Sequence, residues 1–326
     1  MNKNAKIITA CISCAAAVGL GAFALYLKKD RNSVPTIENT TQAATEASSE
    51  ADAEKLSVDW ADKYDYTPSL NGTTERTRSL MRLNKDIMGW VKIDGTQVDY
   101  PFLRDPGEVA ANDPYYGPDA WGPNAFYLAK DIFRQDYERG TYFADYRNRF
   151  DGDESQQSDN LIIYGHNWYD GTMMGSLRKY RPDPEFYEQH PFIELSSNYK
   201  TYDYVIFSYL ITSGSYDATD FHYWNMEDFD TEEEFKFYID NCHGGQLLDT
   251  GVDVKYGDKL LTLSTCYADY DNSRFIVVAR RLREGEVAGD MTTIQHTEEY
   301  NKRKKEEAEK ASKEEAEKAA NEEKPQ

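Results

Sequence analysis

A succession of short apolar segments, each closed by turn residues, is the feature that most constrains the fold of this chain. Between residues 89 and 282 these segments are five to eleven residues long, and Gly, Pro, Asn and Asp separate them. Apolar or alternating segments of this length are typical of β-strands, whereas helices need longer runs. The pattern predicts a mainly β domain built as a barrel or a sandwich.

The first two strands are predicted as a hairpin in the sequence GWVKIDGTQVDYPFL, because Asp94-Gly95 lies between two alternating runs. A short helix is predicted just before this hairpin, around TERTRSLMRLNKD. The remaining strand candidates are residues 125–129, 141–145, 160–166, 192–196, 202–212, 259–266 and 274–282.

One helix is predicted to interrupt the late strands, in the sequence TEEEFKFYIDNCHGG. Thr231 and Glu234 fit a capping box at its start, and Gly244 with Gly245 can end it. Its apolar residues recur at helical spacing, so one face is expected to pack on the β domain. These apolar residues are Phe235, Tyr238, Ile239 and Cys242.

The two ends of the chain differ from its centre. Ile7 to Leu27 carries no charge over 21 residues, and about 20 apolar residues cross a hydrocarbon core. Residues 1–31 are therefore predicted to be a membrane anchor, with a signal peptide cleaved near Ala22-Phe23-Ala24 as the alternative. Residues 32–59 are predicted to be a disordered linker, residues 60–285 the folded domain, and residues 286–326 a charged tail that is helical or disordered.

The formal charge of −21 argues against nucleic acid as a partner. Binding to phosphates depends on patches of Lys and Arg, and the folded part of the sequence contains no basic cluster.

Cys266 is the candidate nucleophile. Cys11 and Cys14 fall in the predicted anchor, so the folded part contains only Cys242 and Cys266, too few for a disulfide scaffold. Cys266 ends an apolar strand and is followed by the polar stretch YADYDNS, which places the thiol at the rim of the sheet. A thiol needs a proton acceptor to become an effective nucleophile near neutral pH.

His166 and Arg274 are the candidate partners of this thiol. His166 ends the predicted strand NLIIYGH as Cys266 ends its own strand, so both side chains can meet at one rim, although a strand-end histidine is often only a surface group. Arg274 opens the next strand eight residues after Cys266 and can bind a carbonyl or an oxyanion; a surface ion pair with Asp269 or Asp271 is the alternative. The other four histidines are interpreted as structural or solvated.

Several of these motifs together resemble class B sortases. The shared features are TLSTC at 262–266, an arginine at the start of the following strand, and YGHN followed by DGTMMGSLRKY. The stretches NKDIMGWVKIDGTQVDYPFL and GTYFADYRN and the helix before the cysteine strand are also similar, so the resemblance covers about Leu80 to Leu282. The charged tail and the basic residues after the anchor depart from the family pattern.

The resemblance implies an eight-stranded β-barrel with an N-terminal helix and a helix inserted before the cysteine strand. It implies a cell-membrane, single-pass cysteine transpeptidase with an extracellular catalytic domain and neither cofactor nor metal. Cys266 would be the nucleophile, His166 its proton-transfer partner and Arg274 the oxyanion ligand, while Ser264 and Thr265 could line the peptide groove. The partners implied are secreted proteins with an NPxTx or xPxTG sorting signal, cleaved after Thr, and a peptidoglycan amine.

Three other readings stay open from the residues alone. A papain-type cysteine hydrolase would use the same residue types, but it usually places its cysteine at a helix N-terminus early in the chain. A disulfide between Cys242 and Cys266 would suit a surface adhesion module. A zinc site from Cys242, His243, Cys266 and His166 has suitable ligand types but no supporting spacing.

Overall fold

The computed structural model describes residues 80–106, 124–150, 153–215 and 221–322. The predicted anchor and linker lie outside these ranges, so their prediction is untested. Within the ranges, none of the helices combines the length and the apolar character needed to cross a membrane. The helix predicted before the first hairpin is seen as the helical residues Leu80 to Leu83, and its earlier residues are not described.

Eight strands close into a barrel in the order β1-β2-β3-β4-β7-β8-β6-β5. The pairs β2/β3 and β4/β7 are parallel and the other pairs are antiparallel. The predicted eight-stranded barrel is therefore confirmed. The strands are β1 (Ile87–Lys92), β2 (Asp99–Arg104), β3 (Tyr142–Ala144), β4 (Asn160–Tyr164), β5 (Phe192–Ser197), β6 (Thr201–Ser213), β7 (Leu260–Cys266) and β8 (Ser273–Arg281).

The predicted hairpin is the antiparallel pair β1/β2. The Ile93 amide donates to the Val98 carbonyl at 2.8 Å across the turn, and Gly95 has φ +76°. A positive φ is easy for glycine and strained for residues with a Cβ, which is why a glycine is required after Asp94.

The strand β8 is buried on both faces, which explains why its sequence reads as a continuous apolar run. Phe275 and Val277 belong to the cluster inside the barrel, whereas Ile276 and Val278 belong to a second cluster beneath a helix. The barrel wall thus has an inner core and an outer core.

Beyond residue 83, the described part of the chain has these α-helices: α1 (Pro184–Gln189), α2 (Glu232–Gly244) and α3 (Glu298–Glu322). The helix α2 is the one predicted before the cysteine strand. Thr231 caps it, its hydroxyl oxygen accepting from the Glu234 amide at 3.2 Å, and Gly245 follows its last turn. All four residues of the predicted apolar face are buried in the outer core.

One strand prediction is wrong. Residues 125–129 do not form a strand, and Phe126–Leu128 is a 3₁₀ helix. Five apolar residues cannot be assigned to strand or helix by periodicity alone. In the fold this turn directs the Tyr127 carbonyl toward the Thr141 amide at 3.1 Å and the Leu128 carbonyl toward His166.

Candidate active site

Cys266 and Arg274 are directly opposite each other in the antiparallel pair β7/β8. Side chains of directly opposite residues lie on the same face of a sheet, about 5 Å apart at Cβ. Alternation along the strands puts both on the outer face of the barrel, in line with Ser264 and Ile276. Cys266 is half-buried with a free thiol, and Arg274 is 8% exposed.

His166 reaches the same rim from the parallel pair β4/β7. Tyr164 is in register with Ser264, and two further residues along each strand lead to His166 and Cys266. The register holds beyond the strand ends, because the Thr265 hydroxyl donates to the Gly165 carbonyl at 2.7 Å. The sequence indicated that these two strand ends can meet, and the parallel pairing of β4 with β7 brings them together.

Asn167 ties the histidine loop to the cysteine strand. Its Nδ2 donates to the carbonyl oxygen of Cys266 at 2.9 Å. The loop returns at once, since the Met174 amide donates to the His166 carbonyl at 2.9 Å. His166 is thus fixed on both sides along the backbone.

Burial favours the neutral form of the His166 imidazole. Burial lowers its pKa below the ordinary 6.5, and a hydrogen bond to the Leu128 carbonyl opposes this effect only in part. The bond joins Nε2 to that carbonyl oxygen at 2.8 Å. A carbonyl only accepts, so the proton of the neutral ring lies on Nε2.

Arg274 is held by main-chain acceptors. Its Nη1 donates to the carbonyl of Asn272 at 3.1 Å and to its neighbour Ser273 at 3.0 Å. Asp269, one of the two carboxylates considered as its partner, instead pairs with Arg181 at 2.7 Å. Arg274 therefore keeps a position facing the cleft.

The three residues lie around one cleft of about 400 Å³. Its walls come from β3 and the connection before it, from β4 and the residues that follow it, from the connection between β6 and β7, and from β7, β8 and the turn between them. The lining residues are Asn124, Leu128, Phe143, Tyr164, Gly165, His166, Gly214, Ser215, Tyr223, Trp224, Ser264, Thr265, Cys266, Asn272 and Arg274.

Ser264 and Thr265 line this cleft but are both 2% exposed, with their hydroxyl groups engaged. Ser264 Oγ lies 2.7 Å from the Tyr223 hydroxyl, and Thr265 binds the Gly165 carbonyl. Burial raises the pKa of Tyr223 to about 12, so its phenol stays protonated. These contacts stabilise the wall of the cleft.

Several lining residues were missed by the sequence reasoning. Tyr164 had a signal, since it precedes His166 by two residues and so shares its face of the strand. Asn124, Gly214, Tyr223 and Trp224 had none, because they reach the cleft from connections distant in sequence.

The thiol of Cys242 lies elsewhere. Cys242 is on the buried face of α2, and burial raises its pKa well above the ordinary value. Both cysteines in the described ranges are free, which removes the basis for a Cys242–Cys266 disulfide. In the same ranges, no group of three His, Cys, Asp or Glu side chains is placed to hold a metal.

Comparison with known proteins identifies the family. A family model described as Sortase domain matches residues 144–282. Sortase B of Listeria monocytogenes is 32% identical over 214 residues, which are 65% of this chain and 76% of the relative. The chain belongs to the sortase family. Sortase B of Staphylococcus aureus is 30% identical to this sortase over 207 residues, which are 63% of this chain and 74% of the relative.

Solved structures give the same result for the fold. A Staphylococcus aureus sortase B–substrate complex superposes with a TM-score of 0.52 at 26% identity, covering 76% of this sortase and 100% of that chain. Both named relatives are of class B. This sortase is accordingly a class B cysteine transpeptidase, an enzyme of acyl transfer.

Proposed function

We propose that this sortase cleaves a C-terminal sorting signal of the NPxTx or xPxTG type after Thr and transfers the protein to a peptidoglycan amine. The observation that carries the proposal is the shared cleft of Cys266, His166 and Arg274. A thiol, a neutral imidazole and a guanidinium supply a nucleophile, a proton acceptor and an oxyanion ligand for acyl transfer. The enzyme would act at the cell envelope, held to the membrane by residues 1–31.

The first half of the reaction forms a thioester. His166 takes the Cys266 proton as Sγ attacks the Thr carbonyl carbon, and Arg274 donates hydrogen bonds to the oxygen as it becomes negative. The tetrahedral intermediate then collapses with cleavage of the C–N bond. The imidazolium of His166 returns its proton to the departing amine, leaving the acyl group on Cys266.

The second half transfers the acyl group. The acceptor amine attacks the thioester carbonyl, His166 takes a proton from the attacking nitrogen, and Cys266 departs as the thiolate. The products are an amide and, once the proton returns, the starting enzyme. Water in place of the amine gives slow hydrolysis, so the two acceptors compete for one intermediate.

The test is cleavage of quenched fluorescent NPxTx and xPxTG peptides by the purified full chain, with and without an amine acceptor. Cys266→Ala is expected to abolish cleavage, and the amine to convert the hydrolysed product into an amide. Cys242→Ala removes the buried thiol on α2 and is expected to retain activity. Cleavage that survives Cys266→Ala would refute the proposed nucleophile, and cleavage without any amide product would indicate a hydrolase.

A further inference from the structure

Asp145 is a fully buried carboxylate that plays no part in the steps above. It directly follows β3 and is 0% exposed. Its Oδ2 accepts hydrogen bonds from Asn124 Nδ2 at 2.6 Å and from the Tyr164 hydroxyl at 3.1 Å. A buried charge is tolerated only when it is paired and hydrogen-bonded, and Asp145 meets this condition through residues distant in sequence.

Arg147 completes and extends this network. Its Nε donates to Asp145 Oδ1 at 2.8 Å and its Nη2 to Oδ2 at 3.0 Å, a two-point contact with the carboxylate. The same Nη2 also donates to the main-chain carbonyl of Trp224. Asp145 is thereby connected to the segment between β6 and β7.

Asn124 is fixed at both ends of its amide. Its Nδ2 binds Asp145, while its Oδ1 accepts from the Tyr146 amide at 3.0 Å. Tyr164 is also fixed in one role, since burial raises the pKa of its phenol and it remains a donor to Asp145. The amide and the phenol therefore have defined orientations.

The three groups connected by Asp145 and Arg147 all line the cleft that contains Cys266. Asn124 comes from the connection between β2 and β3, Tyr164 from β4 and Trp224 from the connection between β6 and β7. Asp145 and Arg147 are not among the lining residues. One ion pair, between the buried Asp145 and the half-buried Arg147, thus holds three separate segments in a single wall of the cleft.

We propose that Asp145, through Arg147, is a positioning residue that sets the wall on which the donor peptide binds beside Cys266; this inference rests on the proposed function. Asp145 does not touch the reacting atoms. The loss of Asp145 should weaken peptide binding. Cys266 lies on β7, outside this network, so the reactivity of its thiol should be retained.

The experiment compares Asp145→Asn and Arg147→Lys in the full chain. Each variant removes hydrogen bonds made to a charged group, so KM for the donor peptide is expected to rise about tenfold with kcat within about twofold. Alkylation of Cys266 by iodoacetamide is expected to keep its wild-type rate. An unchanged KM, or a joint fall of kcat and the alkylation rate, would overturn the proposal.

Glu286→Gln is the matched control. Glu286 is likewise a carboxylate paired with an arginine, Arg280, at 2.6 Å, and neither residue lines the cleft. This variant is expected to lower the melting temperature and leave KM unchanged. A rise in KM equal to that of Asp145→Asn would show that any lost buried ion pair has the same effect, against the proposal.

A second readout needs no substrate. In protein labelled with 5-fluorotryptophan, the ¹⁹F resonance of Trp224 is identified by its loss in Trp224→Phe. Asp145→Asn and Arg147→Lys are expected to shift or broaden it, and Glu286→Gln to leave it unchanged. If the wild type cleaves none of the peptides, the proposed function fails, and the ¹⁹F resonance alone tests whether Asp145 positions the wall of the cleft. If Asp145→Asn does not fold, Arg147→Lys is used in its place. A Trp224 resonance that does not move would then overturn the positioning role.

Discussion

At the scale of single residues, the place of Arg274 depends on a residue with no side chain. A Cβ on Gly214 would lie 2.7 Å from Cζ and 2.9 Å from Nε of Arg274. The Gly214 amide donates to the Asn272 carbonyl at 2.7 Å, which holds the backbone beside the guanidinium. The absence of a Cβ at 214 therefore leaves the space that the guanidinium fills.

Gly214→Ala is expected to displace the guanidinium without unfolding the protein, because the tip of a flexible side chain moves more easily than backbone. The loss of one oxyanion donor typically lowers kcat about 10²-fold or more. The measurement is kcat for peptide cleavage in Gly214→Ala, in Arg274→Ala and in the double variant. Once Arg274 is removed, Gly214→Ala should lower kcat no further. Gly244→Ala is the control, because a Cβ there would meet nothing within 4 Å. Additive losses in the double variant would contradict the explanation.

The protonation of His166 can be measured directly. Because burial lowers its pKa, its NMR titration should have a midpoint below 6.5, and the resting imidazole should be neutral near neutral pH. His166→Gln assigns the signal, and Cys266→Ala should leave the midpoint unchanged. A midpoint above 6.5 that falls in Cys266→Ala would instead indicate a thiolate–imidazolium pair at rest.

The sequence could predict Cys266, His166 and Arg274 as one group because all three mark strand ends, and strand ends are readable from apolar runs. It could not predict Asp145 or Gly214. The role of Asp145 depends on contacts with Asn124 and Tyr164 that exist only after the barrel closes.

At the scale of elements, the helix α3 contacts the barrel domain through its first two turns. Tyr300 stacks on His296 with ring centroids 4.6 Å apart, and it lies over Gly251, where a Cβ would come within 2.0 Å of its ring. Arg303 pairs with Asp249 at 2.9 Å. From residue 305 to residue 314 the side chains are exposed.

Tyr300→Ala should therefore release α3 while the barrel stays folded. Amide hydrogen exchange in residues 298–304 is expected to accelerate, with exchange in β7 and β8 unchanged. Lys310→Ala removes an exposed ion pair with Glu314 within α3, and it should leave exchange in this segment nearly unchanged. Unaltered exchange in Tyr300→Ala would show that other contacts hold the helix.

Strands and helices could be predicted from the sequence where the pattern of apolar residues was long enough. The nine residues of β8 and the four-residue apolar face of α2 carry enough periodicity to assign. The five residues 125–129 do not, and they became a turn because the Leu128 carbonyl binds His166 and the Tyr127 carbonyl binds Thr141. Tertiary hydrogen bonds thus determine the conformation of residues 125–129.

At the scale of the whole molecule, a buried ion pair joins the barrel to the chain that follows it. Arg280, on β8, is 0% exposed, and its guanidinium binds Glu286 through Nη1 at 2.6 Å and Nη2 at 2.8 Å. Its Nε donates to the Asp253 carbonyl at 2.7 Å, in the segment before β7. Three parts of the chain meet at this guanidinium, at the end of β8 opposite to Arg274.

This pair should make the stability of the molecule depend on pH in acid. Burial opposes the charge on Glu286, but hydrogen bonds from Arg280 and from the Arg283 and Gln295 amides, together with the positive charge of Arg280, outweigh it, and the pKa of Glu286 falls from 4.5 to about 2. The folded state then binds fewer protons than the unfolded state between these values, so the stabilisation is present above pH 4.5 and is lost as the pH falls toward 2. Glu286→Gln removes this contribution.

Melting temperatures of the wild type and Glu286→Gln should therefore differ most at neutral pH, and the difference should narrow as the pH falls from 4.5 toward 2. In acid the wild type also loses the charge on Glu286, so Arg280 is left without its anionic partner in both proteins. Glu306→Gln, on the exposed part of α3, should match the wild type throughout. A difference that stays constant across this range would show that Glu286 stabilises the fold by packing and not by its charge.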